Sequence, residues 1–215
     1  MALSLGPVRG ALSVGPSVAT LCSYPRRSVP VQPVRLFGDP VLRTRAAEVT
    51  TFDAELRRLV ADLTDTMHEE GGAGLAAPQL GVGLRVFTYD CGGFAGHLVN
   101  PTFEAVGEEE QFGPEGCLSI PGMTWDCRRH LHVVARGVDM HGEPLVVEGT
   151  EILARCVQHE TDHLDGVLFL DRLDPATRKQ AMSEIRAADW FTSAVGAGAP
   201  PLVKVSPHPL FGKAR

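Results

Sequence analysis

EILARCVQHETDHLDG, residues Glu151 to Gly166, is the stretch on which the fold turns. Ile152, Cys156, His159 and His163 recur at helical spacing and form one stripe, while Leu153, Val157, Glu160 and Leu164 form the neighbouring one. A helix with two such stripes is buried rather than laid on a surface, and Gly166 ends it. Its histidines therefore face an interior, where an unpaired imidazole is costly. His159 to His163 is also an HExxH pattern: the two histidines lie about 40° apart around the helix axis and can grip one metal ion. Glu160, between them, is left free to act as a base.

Working outward, DAELRRLVADLTDTMHEE places Leu56, Leu59, Val60, Leu63 and Met67 on one face of an amphipathic helix, with Asp53 as N-cap. Gly71 and Gly72 stop it and open a loop, GGAGLAAPQLG. LRVFTYD, HLVNP, HLHVVARGVDM and PLVVEG are short β-branched runs bounded by Gly, Pro and Asp, which read as strands of small antiparallel sheets. After the central helix, Asp174-Pro175 supplies an N-cap and Pro at N1 for a final helix, ATRKQAMSEIRAADWF. These elements predict an α+β fold: small antiparallel sheets around a central buried helix carrying HExxH, with a C-terminal helix. Residues 1–33 read as a poorly ordered N-terminal extension, 34–192 as one catalytic domain, and 193–215 as a Pro/Gly-rich basic tail.

The net charge of −6 conceals a division. Residues 39–189 carry 13 basic and all 26 acidic residues, whereas 1–38 and 190–215 hold only basic ones. An acidic body does not suit a nucleic-acid groove, so no direct DNA binding is expected. No run of about 18 apolar residues exists to span a bilayer, so no membrane partner is expected either. The basic, acid-free head reads either as a transit peptide or as an extension carrying no address. Cys22, Cys91, Cys117, Cys127 and Cys156 are odd in number and form no CxxC pair, which fits a reducing, cytoplasmic setting.

HExxH alone leaves the third ligand open. Downstream, Asp171, Asp174, Glu184 and His208 sit in no metalloprotease pattern. Upstream, FGPEGCLSIPG holds Cys117 in a turn-like apolar segment. Taken together, GGAGLAAPQ, EGCLS and QHETDHLDG resemble in order and wording the three signature motifs of peptide deformylases, GxGLAAxQ, EGCLS and QHExDHLxG. LFGDPVLRT and GVLFLDRL extend the resemblance over roughly residues 34–190. The long head, the proline-rich tail, Gly113 and Thr124 depart from the pattern, the last two where some members carry larger side chains that touch substrate.

The resemblance implies a metal-dependent hydrolase that removes the N-terminal formyl group from formyl-methionyl nascent chains and releases formate. It makes Cys117, His159 and His163 the metal ligands, with Fe(II) the expected ion and Zn(II), Ni(II) or Co(II) possible on ligand chemistry. Glu160 becomes the proton shuttle; the Gln79 amide and the Leu118 backbone N–H become donors to the oxyanion. Gly72, Ala73 and Gly74 would bind the extended substrate, and Glu115, Arg129 and Asp162 would orient the ligand-bearing elements. A general metallopeptidase and a catalytically idle metal-binding or ribosome-docking protein are the rival readings. Lys204, Lys213 and Arg215 offer either a contact to ribosomal RNA or a solvated end.

Overall fold

The computed structural model describes residues 32–196, so most of the predicted N-terminal extension and of the basic tail lies outside the described residues. Four α-helices, α1 (Ala54–Glu69), α2 (Glu151–Leu164), α3 (Pro175–Ala187) and α4 (Asp189–Gly196), accompany seven strands. The strands are β1 (Gly74–Ala76), β2 (Val86–Cys91), β3 (Phe94–Ala105), β4 (Glu110–Cys117), β5 (Ile120–His130), β6 (His132–Val138) and β7 (Pro144–Thr150). They form two antiparallel sheets, one of order β1-β2-β3-β6-β7 and one of β4-β5, so the α+β expectation holds. None of the described helices is long and apolar enough to cross a membrane.

β2 shows why the helices lie where they do. Its side chains alternate, and both faces are buried. Phe87, Tyr89 and Cys91 point into a core shared with Leu153, Cys156 and Val157 of α2. Val86 points the other way, into a core with Leu56, Leu59, Leu63 and Met67 of α1. Each fully buried Leu or Phe contributes about 2 kcal/mol, so the two layers fix α1 and α2 on opposite sides of the sheet. α1 begins where Asp53 accepts hydrogen bonds from the N–H groups of Glu55 and Leu56 at 2.9 and 3.1 Å. A third core, under β5, gathers Ile120, Cys127, Phe169, Leu170 and Ile185.

α2 is the hinge between these layers. β7 ends at Thr150 and α2 begins at the next residue, the chain turning at Glu151 with φ of +51°, an uncommon conformation for a residue with a Cβ. The Glu151 N–H donates to Leu131 O at 2.9 Å, which holds that turn against the strand pair. From Leu153 to Leu164 every residue is buried, including Arg155, Gln158, Glu160 and Asp162. One flank meets the five-stranded sheet and the other meets β4-β5.

Four expectations need correction. GGAGLAAPQLG is not a loop: it contains β1 and a 3-10 turn, Ala77–Leu80. FGPEGCLSIPG and the residues after it form the second sheet, which no strand pattern announced. The final helix is two, because Ala188 adopts an extended conformation (ψ 138°) between α3 and α4; the redirected chain brings Phe191 to 6.2 Å from Phe37. Ile152, assigned to the buried stripe, is half exposed at the first turn of α2.

Candidate metal centre and catalytic site

Two elements carry the candidate ligands. Cys117 closes β4, where the register with β5 shifts between Gly116 and Cys117, so the thiol is turned inward at an irregularity rather than along a regular ladder. His159 and His163 stand one turn apart on α2, their rings edge to face at 4.9 Å. The ligand atoms of Cys117, His159 and His163 all lie within 4.8 Å of one another, and the Cys117 Sγ is 3.3 Å from His163 Nε2.

Behind them runs a buried charge network. The Nδ1 of His159 lies 2.7 Å from Glu115 Oε1. Since a carboxylate only accepts, Nδ1 carries the proton and Nε2 keeps its lone pair for an ion. Arg129 donates from Nε and Nη2 to Glu115 at 3.0 and 2.6 Å, and from Nη1 to Asp162 at 2.6 Å. Arg172 reaches Asp162 from the other side at 2.6 Å, and Arg155 donates from Nη1 to Glu115 at 2.8 Å. Glu115 thus meets three cationic or hydrogen-donating partners. Burial opposes its charge, but His159 and Arg129 win and hold the carboxyl well below the usual carboxylate range. The Phe169 ring, 6.0 Å from that of His159, backs the imidazole.

Glu160 sits apart from that network. Burial pushes its carboxyl up to about 7, with the charge on Glu115 adding to the shift. Its Oε2 has no hydrogen-bond partner among the described residues. The carboxylate lies against β1 because residue 74 is glycine: a Cβ there would stand 2.8 Å from Cys156 Sγ and closer still to Glu160 Oε1. The Gln79 amide is fixed at both ends. Its Oε1 accepts from Ala76 N at 2.8 Å, and its Nε2 is 3.2 Å from Ser119 Oγ and 3.6 Å from Cys117 Sγ.

A cavity of about 340 Å³ opens onto this group. Gly72, Ala73, Gly74, Gln79, Glu115, Cys117, Leu118, His159 and Glu160 are among the residues that line it. Leu118 reaches across it toward Gly72, where a Cβ would come within 2.8 Å of Leu118 Cδ1. His163, Arg129 and Asp162 stand behind the wall. The motif residues from three segments therefore converge on one cleft.

Sequence reasoning passed over Arg155, Arg172, Ser119 and Phe169. Arg155 carried a readable signal, since a cation on a helix buried all round requires an anion, and Glu115 stands in the neighbouring motif. The others depend on tertiary approach alone.

The donor set fits a divalent ion: one thiol, two imidazoles, a carboxylate behind His159 that fixes its tautomer, and an unpartnered carboxylate oxygen beside them. The sequence profile of the polypeptide deformylase family matches residues 31–179. Peptide deformylase of Acidothermus cellulolyticus is 59% identical over 184 residues, covering 86% of this chain and 98% of its own length. That of a Parafrankia species is 58% identical over 186 residues, covering 86% and 99%. Among solved structures, a peptide deformylase from Legionella pneumophila superposes with a TM-score of 0.69 at 36% identity, covering 79% of this chain and 99% of its own. The enzyme from Thermus thermophilus gives 0.69 at 39% identity, covering 73% and 94%.

Proposed function

The chain belongs to the polypeptide deformylase family, metal-dependent hydrolases that remove the N-terminal formyl group from nascent polypeptides, and we propose the following division of labour among its residues. Cys117, His159 and His163 would hold the ion, Fe(II) in the active enzyme, although a thiolate with two imidazoles also suits Zn(II). When bound, the ion supplies Lewis acidity toward water and toward the formyl carbonyl.

Glu160 takes the proton from the attacking water and returns it to the departing amine as the C–N bond breaks. Glu160 lines the cavity beside Cys117 and His159 with a buried carboxylate oxygen that no described residue engages, and this placement is the observation that carries the assignment. The Gln79 Nε2 and the Leu118 backbone N–H donate to the oxygen that becomes negative after attack. Gln79 is supported in that role by the hydrogen bond that pins its Oε1, which costs no reorganisation during reaction. Gly72, Ala73 and Gly74 hold the extended peptide by its backbone, as an added strand. Glu115, Arg129 and Asp162 position His159 and α2 against β4.

The catalytic unit is taken as residues 34–192, working in the cytoplasm on formyl-methionyl nascent chains. The basic residues Lys204, Lys213 and Arg215 lie outside the described residues; truncation after Gly196 that weakens ribosome binding would assign them a docking role, and unchanged binding would remove it. The function is tested by stripping the metal, reconstituting one preparation with Fe(II), Zn(II) or Ni(II), and measuring formate release from a formyl-Met peptide under nitrogen and in air. The iron form should be markedly the most active under nitrogen and decay in air by oxidation of Cys117, while the nickel form persists. Equal iron and zinc rates would refute the assignment of Fe(II).

A further inference from the structure

Among the described residues lining the cavity, one carries a permanent positive charge: Arg155. Its surroundings divide it into a committed half and an uncommitted half. The Nη1 donates to Glu115 Oε2 at 2.8 Å and to Cys127 O at 2.9 Å, which uses both of its hydrogens. The Nη2 has Gln111 Oε1 at 3.5 Å, the outer limit of a hydrogen bond. Gln111, Gly113 and Glu115 alternate along one face of β4, and the glycine stands over Nη2. A Cβ at residue 113 would meet Arg155 Nη2 at 3.9 Å and nothing nearer. Arg155 also lines the cavity, where apolar Met123, Ile152 and Cys156 stand alongside the carboxylates of Glu115 and Glu160.

We propose that Arg155 is a specificity-determining residue, donating from Nη2 to a neutral acceptor near the end of the formylated residue's side chain, so that formyl-methionine sulfoxide peptides are substrates beside formyl-methionine ones. This rests on the reading that formyl peptides are hydrolysed in this cavity. An unbranched thioether satisfies the apolar walls, and oxidation of its sulfur adds one oxygen, an acceptor, without lengthening the stem. In a wholly apolar pocket that oxygen would lose its water and gain no partner. Arg155 supplies one. An anionic side chain is excluded, because Glu115 already neutralises the guanidinium and Glu160 adds a second carboxyl to the same wall. The chemistry at the formyl group is unchanged: water adds to the carbonyl carbon, the C–N bond breaks, formate and the free amine leave, and the sulfoxide is not reduced.

The test compares kcat/KM for peptides identical except that they begin with formyl-methionine, formyl-methionine sulfoxide or formyl-norleucine, using metal-loaded enzyme and formate release. The readout is the ratio between peptides, whatever each substitution does to absolute rates. In the unsubstituted enzyme the sulfoxide should fall within about tenfold of methionine, whereas a pocket offering no donor would reject it by roughly a hundredfold. Two variants remove the donor differently: Gly113→Val covers Nη2, and Arg155→Lys keeps a charge for Glu115 while deleting the second nitrogen. Each should lower the sulfoxide-to-methionine ratio by about tenfold and leave the norleucine-to-methionine ratio in place. Because the donor is fixed and the sulfoxide is chiral, one epimer should be preferred, and both variants should erase the preference. Sulfoxide ratios equal in all three proteins would overturn the assignment of Arg155. Failure of the unsubstituted enzyme to hydrolyse even formyl-methionine would instead overturn the deformylase reading on which it rests.

Discussion

Replacing Glu160 by Gln separates what this residue does for chemistry from what it costs the fold. Burial raises its carboxyl from 4.5 to about 7. At 1.36 kcal/mol for each tenfold change in proton affinity, the folded protein disfavours the charged form by about 3 kcal/mol relative to the unfolded chain. Between 4.5 and about 7 the native state binds more protons than the unfolded one, so stability falls as pH rises through that window. Above it the whole cost is present; below 4.5 it vanishes. The glutamine has no proton to lose, and the other buried groups titrate in both proteins. Urea unfolding of the metal-stripped pair should therefore show the variant's stability relative to the unsubstituted protein rising by about 2–3 kcal/mol between pH 5 and pH 8. Turnover of the metal-loaded variant should fall on the order of 10²-fold or more with metal content unchanged. A stability difference independent of pH would refute the burial argument, and a near-normal rate at full metal occupancy would refute the proton shuttle.

Glu115→Gln should weaken metal affinity by about 10–100-fold, read by competition with a chelating dye, and destabilise the fold by about 3 kcal/mol, because it strands Arg129 and Arg155 in the interior. Its depressed carboxyl contributes stability above the unfolded value that is lost only as pH falls through the strongly acid range, so the two proteins should converge in urea stability only there. Gly74→Ala drives a methyl group into Glu160 and Cys156, and should lower kcat by about 10²-fold by misplacing the carboxylate; an unchanged kcat would show that β1 yields. Gln79→Leu should lower kcat by about 10²–10³-fold while KM moves little, and a change confined to KM would make the amide a ground-state contact.

What was legible in the sequence was what local periodicity and local capping decide. α1 and α2 announce themselves by stripes, and Asp53 and Asp174 cap the helices they were expected to cap. β4 was invisible because Gly113, Pro114 and Gly116 carry no strand propensity; it is a strand because β5 pairs with it along eight registered positions, a non-local fact. Likewise nothing in SEIRAADWF breaks a helix; the interruption at Ala188 goes with Trp190 and Phe191 packing on the third core. Glu151 adopts a left-handed conformation that its type disfavours. At the site, the motif residues were identified by resemblance and the structure gathers them at one cleft, but Arg155 and Arg172 join through contacts that spacing cannot express.

The ligand cluster is stitched from distant parts of the chain: Gln79 and Cys117 are 38 positions apart, Glu115 and His159 44, Cys117 and His163 46. An unfolded chain can offer an ion the two histidines one helical turn apart, and little else. The thiol arrives only after β4 has paired with β5 and α2 has docked between the sheets, and such long closures come late. Metal capture therefore follows folding rather than guiding it, unlike small domains that collapse around their ion. The amount of metal retained by a purified variant then becomes a gauge of how completely its tertiary structure has closed.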